Sequence, residues 1–198
     1  MIPYEFSAER FSRWMAYVLR HNPDRYGLQP DKHGFVDLEE FLRIAGRRYP
    51  HLGPDRLKEL IQEGGIGRFE VSGSRVRARY GHSIPAEPVG PPVEPQEFLF
   101  YGTDAASAEP ILAEGLKPVD RRSLHLSTTP EEALTIAQRK TATPAVFRIR
   151  ARDAHRSGIA FYKESALYLT GHVPAEYLSK EPLPQSVGGS NAPPAGAL

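Results

Sequence analysis

The chain has 198 residues, with 25 Lys and Arg against 24 Asp and Glu and a net charge of +1; this excludes a polycation that binds nucleic acid through bulk charge and leaves any anion site to local placement of arginine. There are no cysteines and seven histidines, so disulfides and thiolate metal sites are excluded, and without HxxxH or HExxH spacing no metal is expected. No long apolar run or signal-peptide pattern is present, which predicts a cytoplasmic protein with no membrane partner, and the length admits one domain or two small ones.

Ser7 is placed to cap a first helix in which Phe11, Trp14, Met15, Val18 and Leu19 share one face. Asn22-Pro23 ends it, because proline disfavours helix at the residue before it. His33-Gly34-Phe35-Val36 reads as a turn into a short extended piece. Asp37 caps a second helix, with Glu40 three residues on and Leu38, Phe41, Leu42 and Ala45 facing inward. Gly53-Pro54 opens a third helix that buries Leu57, Leu60 and Ile61 and is closed by Gly64-Gly65. The period then changes from helical to alternating. Phe69 and Val71 lie before Ser72-Gly73-Ser74, and Val76, Ala78 and Tyr80 after it, a β-hairpin signal. Three helices followed by a hairpin is the order of a winged helix, a nucleic-acid-binding module.

Pro85, Pro88, Pro91, Pro92 and Pro95 make residues 84–97 an extended, stiff linker. After it come a strand at Phe98-Leu99-Phe100-Tyr101, a helix from Ala105 to Ala113 and a short strand at Leu124-His125-Leu126. Thr129 caps a helix running to about Lys140. Ala145 to Arg150 alternates as a strand, and Phe161-Tyr162, Leu167-Tyr168-Leu169 and Tyr177-Leu178 read as further short ones. The expected fold class is α+β. A winged-helix lobe spans 1–83, the linker 84–97 and a second lobe 98–183; residues 184–198, rich in Gly, Pro, Ala and Ser, form a disordered tail.

The residues that carry chemistry are arginines beside short histidine motifs in both halves. A phosphate dianion presents oxygens that guanidinium groups grip bidentately while staying charged at any relevant pH. By spacing alone, Arg20-His21 reads first as a cationic helix end, Arg68 as a solvated strand-edge charge, and Tyr101-Gly102-Thr103 as a strand-to-turn junction. Arg75, Arg77 and Arg79 alternate along one strand. They either follow a nucleic-acid backbone or form an outward strand face.

In order and spacing, Leu19-Arg20-His21-Asn22-Pro23, Arg68-Phe69, Arg77 to Ser83, Tyr101-Gly102-Thr103, Gly115-Leu116 and Arg121 to Ser127 resemble the RNA 2′-phosphotransferases (the Tpt1/KptA family), from about Phe11 to about Leu178. The resemblance implies a winged-helix RNA-binding lobe followed by an ADP-ribosyltransferase-like lobe that binds NAD as co-substrate. It implies a transferase that removes an internal RNA 2′-phosphate in two steps. The phosphate attacks C1″ of NAD and expels nicotinamide, with oxocarbenium character at the sugar. The ribose O2″ then attacks phosphorus, releasing 2′-hydroxyl RNA and ADP-ribose 1″,2″-cyclic phosphate.

On this resemblance Arg20, His21, Arg68 and Arg121 are the catalytic residues, with arginines neutralising the phosphoryl oxygens in place of a metal. Tyr101, Gly102, Thr103, His125, Leu126, Ser127, Arg139 and Leu167 hold the cofactor, with Thr128 a further candidate. Arg75, Arg77, Arg79, His82 and Ser83 contact RNA. The chain departs from the family at Tyr80, where glutamine is common, and at Tyr101 and Arg122, where histidine is frequent. Neighbouring side chains on an extended segment point opposite ways, so only one of Arg121 and Arg122 faces the site; Arg121 is the choice. Leu167 stands where many ADP-ribosyltransferases carry a glutamate, and Glu164 is its rival. The expectation is a monomer with a cleft between its lobes, RNA on the N-terminal side and NAD on the C-terminal side. Two alternatives are ADP-ribosylation of terminal phosphates of RNA or DNA, and a non-enzymatic winged-helix regulator with a ligand-sensing domain.

Overall fold

The computed structural model describes residues 6–63 and 67–183; the Gly64-Gly65 helix end and the tail after 183 lie outside the described residues. Helix α1 (Ala8–His21) starts at Ser7, whose hydroxyl accepts from the Arg10 amide at 3.4 Å. Helix α2 (Leu38–Arg48) starts at Asp37, whose carboxylate accepts from the Glu40 amide at 2.9 Å. Helix α3 spans Pro54–Glu63. Strands β1 (Val36–Asp37), β2 (Phe69–Ser72) and β3 (Arg75–Ala78) form an antiparallel sheet ordered β1-β3-β2. The apolar faces of the helices close on Val76 and Ala78, with Phe11, Leu19, Phe41 and Leu57 in the same buried cluster.

The second half holds two three-stranded antiparallel sheets. Strands β4 (Phe98–Asp104), β6 (Pro144–Arg150) and β9 (Leu178–Glu181) make one, in the order β4-β6-β9. Strands β5 (Leu124–Leu126), β8 (Leu167–Thr170) and β7 (Tyr162–Glu164) make the other, in the order β5-β8-β7. Paired backbone bonds between Phe100 and Ser127, at 2.9 and 2.8 Å, join them. Helices α4 (Ala108–Glu114), α5 (Pro130–Gln138) and α6 (Ala151–Arg156) pack around the sheets. Thr129 caps α5 by accepting from the Glu132 amide.

Three details differ from the sequence expectation. Strand β4 continues past Tyr101 to Asp104 because β6 pairs with it along its whole length. The helix expected from Ala105 begins as a 3-10 turn over Ala105–Ser107, where the Asp104 carboxylate accepts from the Ser107 amide, and only then becomes α4. Helix α6 has six residues, too few to show a helical period.

The proline-rich segment is tied to both halves: the Glu87 amide donates to the Lys32 carbonyl at 2.8 Å and the Val93 amide to the Phe161 carbonyl at 2.7 Å. Among the described residues, no helix is long and apolar enough to cross a membrane, and no group of three or more His, Asp or Glu is placed to hold a metal ion.

Candidate active site

The last turn of α1 carries Arg20 and His21. The chain leaving β3 returns over this turn: the Ser83 amide donates to the Arg20 carbonyl at 3.0 Å. The crossing depends on Gly81, which has φ +86 and whose missing Cβ would stand 3.2 Å from Arg20 Nη1. Arg68, just before β2, donates through Nη1 to Ser12 Oγ of α1 at 3.1 Å. From the second half, Arg121 reaches across and donates through Nη1 to the Gly81 carbonyl at 2.6 Å and to His21 Nε2 at 3.0 Å.

Arg121 Nη1 lies 3.0 Å from His21 Nε2 and 3.4 Å from Nδ1, and Ser83 Oγ lies 2.9 Å from Nδ1. A guanidinium only donates, so its closer approach to Nε2 favours the tautomer with the lone pair there and the ring proton on Nδ1, toward Ser83. Burial, then Arg121 and Arg20, lower the His21 pKa below its ordinary value. Burial and the two neighbouring guanidiniums thus favour the neutral imidazole over the imidazolium.

Arg20 is the most strained charge of the group. Burial, followed by the nearby Arg68 and Arg121 cations, lowers its pKa to about 10, while Tyr80 partly offsets the loss. Its Nε and Nη2 are buried without a hydrogen-bond partner. Those two N–H groups form the side of the guanidinium that forks onto two oxygens of one oxyanion. A buried donor edge costs free energy until it is satisfied, so the site is built for an anion.

Arg20 borders a cleft of about 510 Å³ between the halves. Arg20, Tyr80 and Gly81 form one wall; Tyr101, Gly102, His125, Ser127, Ile136 and Lys140 form the other, and Pro118 to Arg121 edge it. Val119 there is 92% exposed. Gly102 lets α5 lie against β4, since a Cβ would collide with the Ala133 carbonyl. The Tyr101 phenol is pushed up, first by burial and then by Asp104. His125 is pushed down to about 4 by burial, Arg121, Arg20 and Lys140.

Several expected cofactor contacts do not line this cleft. Leu126 points the opposite way from His125 on β5 and is fully buried in the second core. Leu167 sits opposite Glu164 where β7 turns into β8. Thr103 and Thr128 are also off the wall. Arg139 is exposed at the end of α5; Ile136 and Lys140, four residues apart on one face, line the cleft instead. Ile136, Lys140 and the Pro118–Asp120 edge escaped the sequence reading, and helical spacing across the α5 end was the signal that could have found Lys140.

The expectation of an RNA-facing arginine row is corrected at Arg77. Its side chain is 2% exposed and pairs with Glu164 at 3.0 Å and Glu70 at 2.7 Å. The strand face that carries Arg75, Arg77 and Arg79 points outward from its own core, as alternation requires, but Glu164 of β7 covers its middle. Arg75 remains exposed, paired with Asp31 at 3.1 Å, and Arg79 lies 3.5 Å from Glu70 and 3.6 Å from Glu164. Glu164 is therefore engaged with Arg77 and does not line the cleft. His82 is buried with Nε2 unpartnered. Its pKa is pushed down to about 4 by burial, Arg20 and Arg77, then His21 and His125. Arg122 faces a smaller cavity, which His82 also lines, and donates its backbone amide to the His82 carbonyl at 3.3 Å.

Residues 7–171 match the family model described as RNA 2′-phosphotransferase, Tpt1/KptA family. A protein of Archaeoglobus fulgidus named “Probable RNA 2′-phosphotransferase 1” is 37% identical over 182 residues, 91% of this chain and 84% of that one. A “Probable RNA 2′-phosphotransferase” of Pyrococcus furiosus is 36% identical over 172 residues, covering 86% and 94%. One of Streptomyces coelicolor is 35% identical over 170 residues, covering 85% and 93%.

Proposed function

The chain belongs to the RNA 2′-phosphotransferase, Tpt1/KptA family, a family of transferases, and from that premise we propose that it removes an internal 2′-phosphate from RNA by transferring it to NAD. The products on this reading are 2′-hydroxyl RNA, ADP-ribose 1″,2″-cyclic phosphate and nicotinamide. The observation that carries it is the unpartnered Nε and Nη2 edge of Arg20, buried at a cleft where Arg121 also converges. Three arginines and a neutral imidazole from both halves suit one phosphate dianion better than any neutral ligand.

Each residue has a role. Arg20 grips two phosphoryl oxygens through its free edge, and Arg68 and Arg121 lower the charge of the same group. Turned onto one phosphate, they favour the in-line geometry that phosphoryl transfer needs. The neutral His21, held by Ser83 and Arg121, binds the phosphate or carries a proton at Nε2. The donor set and cleft size also suit a dinucleotide that is itself an anion. NAD supplies the electrophilic ribosyl carbon that accepts the phosphate. Tyr101, His125, Ser127 and Lys140 are the side chains on its wall, and the backbone of Gly102 is the group that a nicotinamide amide would meet.

The same reading takes the N-terminal half as a winged-helix RNA-binding lobe and the C-terminal half as ADP-ribosyltransferase-like, in a cytoplasmic monomer. The test is to incubate the purified protein with NAD and matched oligonucleotides carrying a 2′-phosphate or a 5′-phosphate, and to identify the products by mass. The expected result is loss of the 2′-phosphate with the cyclic phosphate formed in equal amount. An oligonucleotide that keeps ADP-ribose on its 5′-phosphate supports terminal ADP-ribosylation instead, and RNA binding without nicotinamide release contradicts an enzyme.

A further inference from the structure

We propose that Tyr80 is a positioning residue that holds the Arg20 guanidinium in its phosphate-gripping orientation and ties it to His125 on the opposite wall. The inference rests on the reading above, in which Arg20 grips the phosphate. Arg20 Cζ lies 5.0 Å from the Tyr80 ring centroid, the range in which an aromatic face attracts a cation. The same ring meets His125 edge-on, with centroids 5.8 Å apart. Tyr80 thus has one neighbour from each half of the protein.

A buried guanidinium with two unsatisfied N–H groups is expected to rotate toward any acceptor within reach. Backbone alone does not stop this: Gly81, packed against the guanidinium, has no side chain, and its carbonyl is already taken by Arg121. The ring stabilises Arg20 through its face and through a side-chain hydrogen bond from the guanidinium to the phenol, and neither engages the Nε and Nη2 edge, which stays free for substrate. An acidic partner would stabilise the charge too, but it would occupy that edge and repel the incoming phosphate. An aromatic ring is the one kind of side chain that does the first without the second. The contact with His125 links the orientation of Arg20 to the cofactor wall, so the ring also helps register the two substrates.

The experiment compares the full-length wild type with Tyr80→Phe and Tyr80→Leu. The readouts are binding of a 2′-phosphorylated oligonucleotide and its unphosphorylated twin without NAD, kcat and KM for NAD, and thermal unfolding. Tyr80→Phe keeps the face and should keep most of the preference for the 2′-phosphate. Tyr80→Leu should lose about ten-fold of that preference and lower kcat more than it raises KM for NAD, with little change in unfolding temperature. A well-folded Tyr80→Leu with wild-type preference and kcat overturns the proposal, and so does a Tyr80→Phe as impaired as Tyr80→Leu. In the native protein, the Arg20 Nε–H proton should show a ring-shifted, ordered NMR signal; a mobile, unshifted signal overturns the proposal without any variant. A wild type that does not prefer the 2′-phosphate at all counts against the function itself, whereas intact wild-type preference with an unaffected Tyr80→Leu counts against Tyr80 alone.

Discussion

The guanidinium of Arg77, on the hairpin of the first half, meets both carboxylate oxygens of Glu164, on β7 of the second, at 3.0 and 3.1 Å, and neither side chain is more than 3% exposed. Glu70 takes a second side of the same guanidinium at 2.8 Å. Around this pair the two halves meet closely enough that a Cβ at Gly67 would collide with the Ser165 hydroxyl. Breaking one partner of a buried pair strands the other charge. Glu164→Ala should therefore cost about 3 kcal/mol, measured by urea unfolding. The double variant Glu164→Leu with Arg77→Met should be more stable than the single one, since it leaves no buried guanidinium with Glu70 as its remaining partner. A Glu164→Ala protein as stable as wild type contradicts the role given to the pair.

Arg20 predicts the opposite relation between stability and activity. Its charge is disfavoured by burial and by Arg68 and Arg121, and two of its donors are unsatisfied. Arg20→Met should thus leave the unfolding temperature unchanged or raised, while turnover of 2′-phosphorylated RNA falls by roughly 10²–10³-fold, as for loss of one preorganised donor to a developing anion. Calorimetry and steady-state assay on the same sample measure both.

Acid should unfold the protein through its buried imidazoles. His82 and His125 each sit at about 4, against an ordinary 6.5, because burial and neighbouring cations oppose their protonation. Between those values the unfolded chain binds more protons than the folded one. Stability from these groups is full above pH 6.5 and declines as pH falls toward 4, by up to about 3 kcal/mol for each histidine. Unfolding free energies at pH 7, 5.5 and 4.5 should fall in that order, and added inorganic phosphate should blunt the fall by compensating the cation cluster. A flat profile contradicts the buried, neutral state of both rings.

Gly102→Ala should part β4 from α5. The new Cβ would collide with the Ala133 carbonyl and lie 3.1 Å from the Ala137 Cβ, so helix or strand must shift. Overpacking of this kind costs about 1–3 kcal/mol. It should also weaken NAD binding more than RNA binding, because the cleft wall that moves is the one carrying Tyr101 and Ser127. Titration of each ligand separately distinguishes the two.

Local chemistry made much of this architecture readable. Ser7, Asp37 and Thr129 were legible as caps because capping is decided within four residues, and the stripe from Phe11 to Leu19 was legible because a helix repeats every 3.6 residues. The hairpin was legible from alternation around Gly73. Partnership across the chain was not. Nothing near Arg77 announces that Glu164, 87 residues away, will cover it, so an outward strand face and a buried interface read alike. Alternation makes Leu126 a core residue once His125 faces the cleft, but which of the two faces it depends on β8, whose Leu169 pairs with His125 from 44 residues later. Lys140 lines the cleft one turn beyond Ile136, just past the end of α5, and the end of a helix is the part of it that sequence marks least sharply.

The central claim is that Arg20, Arg68 and Arg121 serve one phosphate. A crystal structure of the protein with a short 2′-phosphorylated oligoribonucleotide, without NAD, tests it most directly. The account predicts the 2′-phosphate oxygens within about 3.2 Å of Arg20 Nε and Nη2, with Arg68 and Arg121 turned onto the same group. A phosphate bound elsewhere, with that edge of Arg20 still unpartnered and the other two arginines directed away, would contradict it.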